Sequence, residues 1–477
     1  MENNIYQTPL SGRYASKEMD FLWSNNSRYS TWRKLWVALA ETEKELGLNI
    51  TEEQINEMKN NINNIDYDIV TKREKECRHD VMAHVYEFGT KCQKAKPIIH
   101  LGATSCYVTD NTEVILMKQG LELIKQKLIL VINNLKIFAD KNKEIPCLGY
   151  THFQPAQLTT VGKRATLWIQ DLLEDLQELE FVQKNLKLLG CKGTTGTSES
   201  FMKLFKDEEK VKQIDTKIAE KIGFDKTFAV SGQTYTRKQD SRVLNCLAGI
   251  AESASKFAND MRLLQHEKEL EEPFEKNQIG SSAMAYKRNP MRSERINSLA
   301  RHVIVLSNDS KITTSTQWLE RTLDDSANRR ISIPESFLGV DAILKIYANI
   351  AENIVVYKNT IITNIMKEIP FMGTEEILMN AVLKGGDRQE LHEKIRVHSM
   401  EAAKQVKEYG NQNDLVDRIA GDESFGLNKE EILEILLPEK LCGRAKNQVT
   451  DFINEEVNPV LEKYGELIKD VDIHLDV

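Results

Sequence analysis

Cysteine is scarce in this chain and falls in no pattern. The seven thiols, at 77, 92, 106, 147, 191, 246 and 442, are odd in number and include no CxxC pair. That argues against a disulfide framework or a cysteine zinc site, and it fits reduced thiols in a cytoplasmic protein. No apolar run approaches the length of a membrane span. The first residues, MENNIYQTPLSGRYAS, carry no apolar segment of the kind found in a secretory signal. Runs of alternating Val, Ile and aromatic residues are few, and no hairpin dipeptide separates two of them. A GxxxxGK[ST] phosphate loop, a GxGxxG after a strand and a GxSxG nucleophile elbow are all absent. His79 and His84 would point about 140° apart on a helix, so they make no i,i+4 zinc pair, and no calcium loop rich in Asp and Asn appears. We expect neither a metal nor a cofactor. A basic excess is lacking as well. The net charge of −8 argues against a general nucleic-acid binder but leaves room for a local cationic pocket.

What the chain does have is helical periodicity over 477 residues, enough for two or three domains. After an irregular start with a turn at 11–14, a helix is expected from Ser30, with Trp32, Leu35, Trp36, Leu39 and Leu46 on one stripe and Gly47 as its stop. Thr51 can cap the next helix, with Glu52 and Glu53 in its first turn. Residues 71–89 read as one further helix. Asp110 and Glu113 make a capping-box pattern opening a long helix to about residue 143. Long helices follow over roughly 158–189, 237–267, 291–318 and 327–357, with loops at 100–105 and 149–155. Their apolar residues spread wider than one stripe, so they must be buried on more than one side, as in a bundle shared between subunits. We therefore expect an all-α protein in three helical parts: 1–110, a central long-helix bundle over 111–363, and 364–477 with shorter helices broken by Pro and Gly.

One stretch stands out, GSSAMAYKRNPMRSER at 280–295. Small hydroxyl residues lead into Lys287, Arg288, Arg292 and Arg295, against the single acid Glu294. Such a loop suits closure over an anionic ligand, although charge alone reads as readily as a solvated basic loop. Other candidates sit in loops at helix ends, each with a plainer reading beside it. His79, between Arg78 and Asp80, can be part of a surface ion cluster. His152 can be a structural histidine bonded to a loop carbonyl. The GTTGTS run at 193–198 can be a plain turn. Ser326, among Arg321, Arg329 and Arg330, can be a solvated helix start or an anion binder.

Taken together, HLGATSCYVTD at 100–110, THFQPAQ at 151–157 and GSSAMAYKRNP at 280–290 resemble the three signature regions of the fumarase/aspartase/argininosuccinate lyase superfamily. With RHDVMAH, GKR, GTTGT, GQTYTRK and RTLDDSANRR, the chain resembles the adenylosuccinate lyase family in its animal-type branch, over nearly its whole length. The resemblance implies a homotetramer whose central bundles form a core of about twenty helices, with active sites shared by three chains. It implies β-elimination of fumarate from adenylosuccinate to give AMP, and from the succinyl-carboxamide ribotide SAICAR to give AICAR, in the cytoplasm. Small succinyl nucleotides would be the ligands, with no nucleic acid and no membrane as partner. An argininosuccinate lyase or cycloisomerase would share the fold, but RHD, GQTYTRK and SANRR weigh against both. A catalytically silent scaffold is countered by His152, Ser281 and Lys287.

Elimination needs a base for a weakly acidic proton, an acid for the departing nitrogen, and cations for the developing aci-carboxylate. By resemblance, His152 is the acid and Ser281 the base, with Ser282 beside it as an open alternative. Lys287 stabilises charge, and His79 is a second catalytic histidine that binds the nucleotide phosphate and orients the acid, with a direct acid or base role also open to it. Arg13, Tyr14, Arg78 and Asp80 match nucleotide contacts, while Thr104 and Ser105 match contacts to a succinyl carboxylate. Thr151, Gln233, Arg295, Arg321, Ser326 and Arg330 match the remaining substrate contacts. Where the family has proline after the methionine of the third region, this chain has Ala285. A loop without that restraint on φ is more flexible when open.

Overall fold

The computed structural model describes residues 4–469 and 471–475. Five helices lead the chain: α1 Lys17–Leu22, α2 Asn25–Glu45, α3 Glu52–Asn60, α4 Tyr67–Cys77 and α5 Asp80–Lys91. The buried stripe of α2 is the expected one, but the helix begins at Asn25 because the Ser24 side chain accepts from Ser27 N–H and caps a polar first turn. Thr51 caps α3 in a full capping box with Gln54. The single helix expected over 71–89 is two helices. Arg78 turns left-handed at φ 54° and ends α4, and His79 becomes the N-cap of α5. Apolar periodicity on both sides of a one-residue break hides it from the sequence.

The long helices are α6 Ser105–Lys141, α7 Val161–Lys184, α10 Lys238–His266, α11 Met291–Ser315 and α12 Asp325–Glu352, with α8 Glu199–Phe205 and α9 Glu208–Ile222 on the connection before α10. Val114, Leu121, Ile124, Leu128, Val131 and Leu135 of α6 are all fully buried, on more than one side of the helix. A β-carbon at Gly120 would lie 2.7 Å from the Phe337 ring, so the close approach of α6 to α12 requires glycine there. The expected capping box at Asp110 and Glu113 is not the start of α6. Both acids lie inside the helix, buried against Arg237 and Arg28.

Polarity along the bundle decides where the candidate site residues fall. Arg237, the N-cap of α10, bonds Asp110 near the start of α6 and Asp325 at the start of α12. Three helix N-termini therefore meet at one end, called here the Arg237 end. At the other end, β1 Pro146–Thr151 and β2 Gln154–Thr160 form an antiparallel hairpin between α6 and α7. There too, β3 Leu270–Glu271 pairs with β4 Val355–Val356, tying the segment after α10 to the segment after α12. This is the hairpin end. The hairpin corrects the loop expected over 149–155. Its two-residue turn is His152-Phe153, with φ 53° and 55°, and it lacks the Asn or Gly that usually marks such a turn.

Helices run through both positions expected as limits of the central part, α6 through 110 and α13 (Lys358–Met372) through 363. Shorter helices complete the chain. Apolar side chains remain exposed on the bundle helices, among them Ile137, Phe181, Leu263, Val305, Ile312 and Ile331. Among the described residues no helix is long and apolar enough to cross a membrane.

Candidate active site

At the Arg237 end, the break at Arg78 aims His79 at the start of α6. His79 Nδ1 accepts from Met82 N–H at 3.4 Å, which leaves the proton of a neutral ring on Nε2, 3.3 Å from Ser105 Oγ. Thr104 is the N-cap of α6 but makes no capping hydrogen bond with its side chain. The first N–H groups of the helix, with the positive end of its dipole, are thus available to an anion. Asp80 accepts from Arg330 Nη2 at 2.8 Å, and Ser326 stands in the first turn of α12 four residues before Arg330. Arg321 Nη1 donates to Asp325 at 3.0 Å, and Gln233 Oε1 accepts from the Cys106 thiol at 3.6 Å. Arg78, His79, Asp80, Thr104, Ser105, Gln233, Arg321, Ser326 and Arg330 thus gather at one end of one chain.

His152, Thr151, Ser281, Lys287 and Arg295 belong to the hairpin end. Thr151 pairs with Gln154 across the hairpin, and His152 is exposed at its tip. Left-handed φ at two successive non-glycine residues costs roughly 1 kcal/mol or more at each, and the ladder below holds the turn in that shape. Ser281 Oγ accepts from the backbone N–H of Met284 at 3.1 Å and of Ala283 at 3.3 Å. Two N–H donors on one hydroxyl oxygen favour negative charge there. The loop is clamped at its neck, where Asn289 Nδ2 donates to Gly280 O at 2.7 Å and Gln265 Nε2 donates to Arg288 O at 3.0 Å. Its tip, with Ala285 and Lys287, is exposed.

The dense basic charge of this stretch is partly neutralised by acids that precede it. Arg288 pairs with Glu271 and Arg292 with Glu275, whereas Lys287 makes no ion pair among the described residues. Arg295 lies 5.4 Å from the Tyr14 ring centroid, with Arg13 5.9 Å from the same ring, in and beside the turn Leu10–Tyr14. Ser16, just beyond that turn, donates its N–H to Asp341 in the far half of α12, so Arg13 and Tyr14 also lie away from the Arg237 end.

The 37 residues of α6 span about 55 Å. Among the described residues, no hydrogen bond or ion pair joins His152, Ser281 or Lys287 to the His79 cluster. A single chain therefore holds the candidate site residues in two groups, one at each end of its bundle.

Comparison with known proteins gives the family. The family model described as Lyase matches residues 14–305, and that for the adenylosuccinate lyase C-terminus matches 370–452. The chain is 52% identical to adenylosuccinate lyase of Saccharomyces cerevisiae over 99% of both chains, and 47% identical to that of Schistosoma mansoni over 97% of both. The chain belongs to the adenylosuccinate lyase family. Among solved structures, 3-carboxy-cis,cis-muconate lactonizing enzyme from Pseudomonas putida superposes with a TM-score of 0.81 at 20% identity, covering 94% of this chain and 98% of that one. A fumarate lyase from Mesorhizobium sp. BNC1 gives 0.80 at 19%, covering 95% and 100%. These two share the all-α fold.

Within this adenylosuccinate lyase family member, several residues of the site region are not apparent from the sequence. Arg237 grips both carboxylate oxygens of Asp110, at 2.9 and 3.3 Å, and reaches Asp325 through Nε at 2.6 Å. Burial is the largest influence on Arg237 and would lower its pKa, but Asp110 together with Tyr235 and Asp240 offsets it and holds the guanidinium above its ordinary range. Beside it, Tyr235 donates to Asp240 at 2.5 Å, and Arg329 donates to both. Trp36 Nε1 donates to His100 Nδ1 at 2.9 Å, and burial lowers the pKa of His100 to about 4. Glu272, buried, accepts from the N–H groups of Arg292 and Ser293 and caps α11. Tyr235 and Arg237 lie within GQTYTRK, but a motif cannot reveal which acids they pair with.

Proposed function

We propose that this lyase of purine nucleotide biosynthesis cleaves adenylosuccinate to AMP and fumarate, and SAICAR to AICAR and fumarate, by general acid/base elimination. The observation that carries the chemistry is Ser281 Oγ, held by two backbone N–H donors in a loop that also presents Lys287. A serine hydroxyl is a weak base unless its alkoxide is stabilised, and those donors supply that stabilisation. Ser281 takes the proton from the succinyl carbon next to the departing C–N bond. Lys287 stabilises the carbanion as its aci-carboxylate. The C–N bond then breaks, and His152 gives its proton to the nucleotide nitrogen. Arg13, Tyr14, Arg78 and Asp80 hold the nucleotide, and His79 binds its phosphate and orients the acid. Thr104 and Ser105 hold a succinyl carboxylate, while Thr151, Gln233, Arg295, Arg321, Ser326 and Arg330 make the remaining substrate and phosphate contacts.

The same reading makes the protein a homotetramer with sites shared by three chains. Two half-sites at opposite ends of a bundle need other chains to complete them, and the exposed apolar residues on the bundle helices fit burial between subunits. The three-part division at 110 and 363 and a cytoplasmic location complete the proposal. It is tested by following fumarate release from adenylosuccinate, SAICAR and argininosuccinate with the purified protein. Release from the first two only is expected, and none from adenylosuccinate rejects the reading.

A further inference from the structure

Side chains of alternating charge run from the interior to the Arg237 end in the order Asp110, Arg237, Asp325, Arg321. The first three are buried, with side-chain exposures of 3%, 1% and 0%, while Arg321 is 25% exposed. Replacing a buried ion cluster by apolar residues often leaves stability unchanged or raises it, so burial of these charges is not explained by stability alone. The cluster does fix geometry. One Asp325 oxygen takes Arg237 Nε at 2.6 Å and the other takes Arg321 Nη1 at 3.0 Å, so the carboxylate cannot turn without losing one arginine.

The backbone beside it is tied in the same sense. Tyr235 N–H donates to Asp110 Oδ2 at 3.1 Å, and Gln233 N–H donates to Glu320 O at 2.9 Å. A β-carbon at Gly232 would lie 2.5 Å from Glu320 O, so only glycine allows segment 232–237 to come this close to segment 320–325. Arg321 spends one nitrogen on Asp325 and keeps the remaining N–H donors of its guanidinium for an anion.

We propose that Asp325, held by Arg237, is a positioning residue that aims Arg321 at the anionic substrate. The proposal rests on the reading of Arg321 as a substrate contact, and it adds why an otherwise flexible side chain keeps one direction. Steady-state fumarate release from adenylosuccinate tests it on Asp325→Asn, Arg321→Ala and the double variant of the full chain, with melting curves alongside. Asp325→Asn should raise KM about tenfold and change kcat less than about threefold, because a contact made equally to bound substrate and transition state appears in KM. In the Arg321→Ala background it should raise KM no further.

Independent, multiplying effects on KM would overturn the proposal, and so would wild-type KM in a folded Asp325→Asn protein. Wild-type KM in Arg321→Ala would instead reject Arg321 as a contact. Should Asp325→Asn fail to fold, Arg237→Lys carries the test, since it keeps the charge but loses the fork that spans two carboxylates. The same KM signature is expected, and wild-type KM would overturn the proposal.

Discussion

Arg330 and Asp80 stand 250 positions apart in the sequence, yet Arg330 Nη2 donates to Asp80 Oδ2 at 2.8 Å. The contact joins the second turn of α12 to the first residue of α5, and so brings the loop of His79 against the bundle. Arg330 is 60% exposed, and ion pairs in such surroundings are worth about 0–1 kcal/mol. A phosphate, which carries more charge than Asp80 and accepts bidentate bonds, can therefore take the guanidinium from it.

From that weakness follows an asymmetry between the partners. Arg330→Ala should raise KM for adenylosuccinate about tenfold, the loss of one charge-assisted contact. Asp80→Asn should leave the melting temperature close to that of the wild type. Kinetics and melting curves on the two variants check both. A melting loss in Asp80→Asn as large as that of a core truncation would show that the pair holds the fold instead.

The proposed sharing of sites between chains makes a stronger prediction. Ser281→Ala and His152→Ala should each lose about a hundredfold or more in turnover, the loss expected for a general base or acid. Ser281→Ala alters the hairpin end only, and the Arg321→Ala, Arg330→Ala double variant alters the Arg237 end only. When these two proteins, one impaired in turnover and the other in substrate affinity, are unfolded and refolded together and assayed at low adenylosuccinate, hybrid oligomers should contain some sites with every native group. Activity should then exceed the sum of the separate preparations. No gain in verified hybrids would mean that each site is built from one chain.

Some of this was legible in the sequence and some was not, for physical reasons that particular residues make plain. The all-α fold followed from helical periodicity, because the apolar spacing that buries α6 is written in the chain itself. The start of α6 was misplaced because Asp110 and Glu113 carry the chemistry of a cap, while their partners Arg237 and Arg28 lie far away in sequence. Arg78 ends α4 in a left-handed conformation more often taken by glycine or asparagine, so nothing local announced the break that aims His79. The His152 hairpin was hidden in the same way, by positive φ at two residues that rarely adopt it. Local rules fail most clearly around the candidate site, where strained backbone is expected to be retained for function.

Acid should destabilise the fold through His84. Its ring centroid lies 3.9 Å from that of Tyr29, with the planes tilted by 31°, and it meets Trp32 edge-on. Burial first, then nearby Arg33, lowers its pKa from 6.5 to about 4, with Asp80 opposing. Between those values the unfolded chain binds a proton that the folded one refuses, so stability falls as pH drops from about 6.5 toward 4. His100 acts with the same sign, whereas Glu43, pushed up to about 8 by burial, acts with the opposite one. Only a difference between variants isolates His84. His84→Phe keeps the aromatic contacts and should lose less melting temperature between about pH 7 and pH 5 than the wild type does. Parallel curves would mean that His84 titrates alike in both states.

Ala285 makes the last prediction. Lys287 N–H donates to Met284 O at 3.0 Å, which closes a turn over 284–287 with Ala285 as its second residue. That is the position where proline is favoured, since its ring presets φ near −65° and the turn requires no N–H from it. The family's proline would therefore fit the backbone already present and would act by narrowing the open ensemble of the loop. The neck between Gly280 and Asn289 is held by a hydrogen bond that Ala285 does not touch, so the substitution should leave the neck in place. Ala285→Pro should slow proteolytic cleavage within the loop severalfold and change substrate affinity more than the chemical step measured in a single turnover. Cleavage rate, affinity and turnover all equal to wild type would show that the loop is equally ordered with either residue, and that its tip adds nothing to closure.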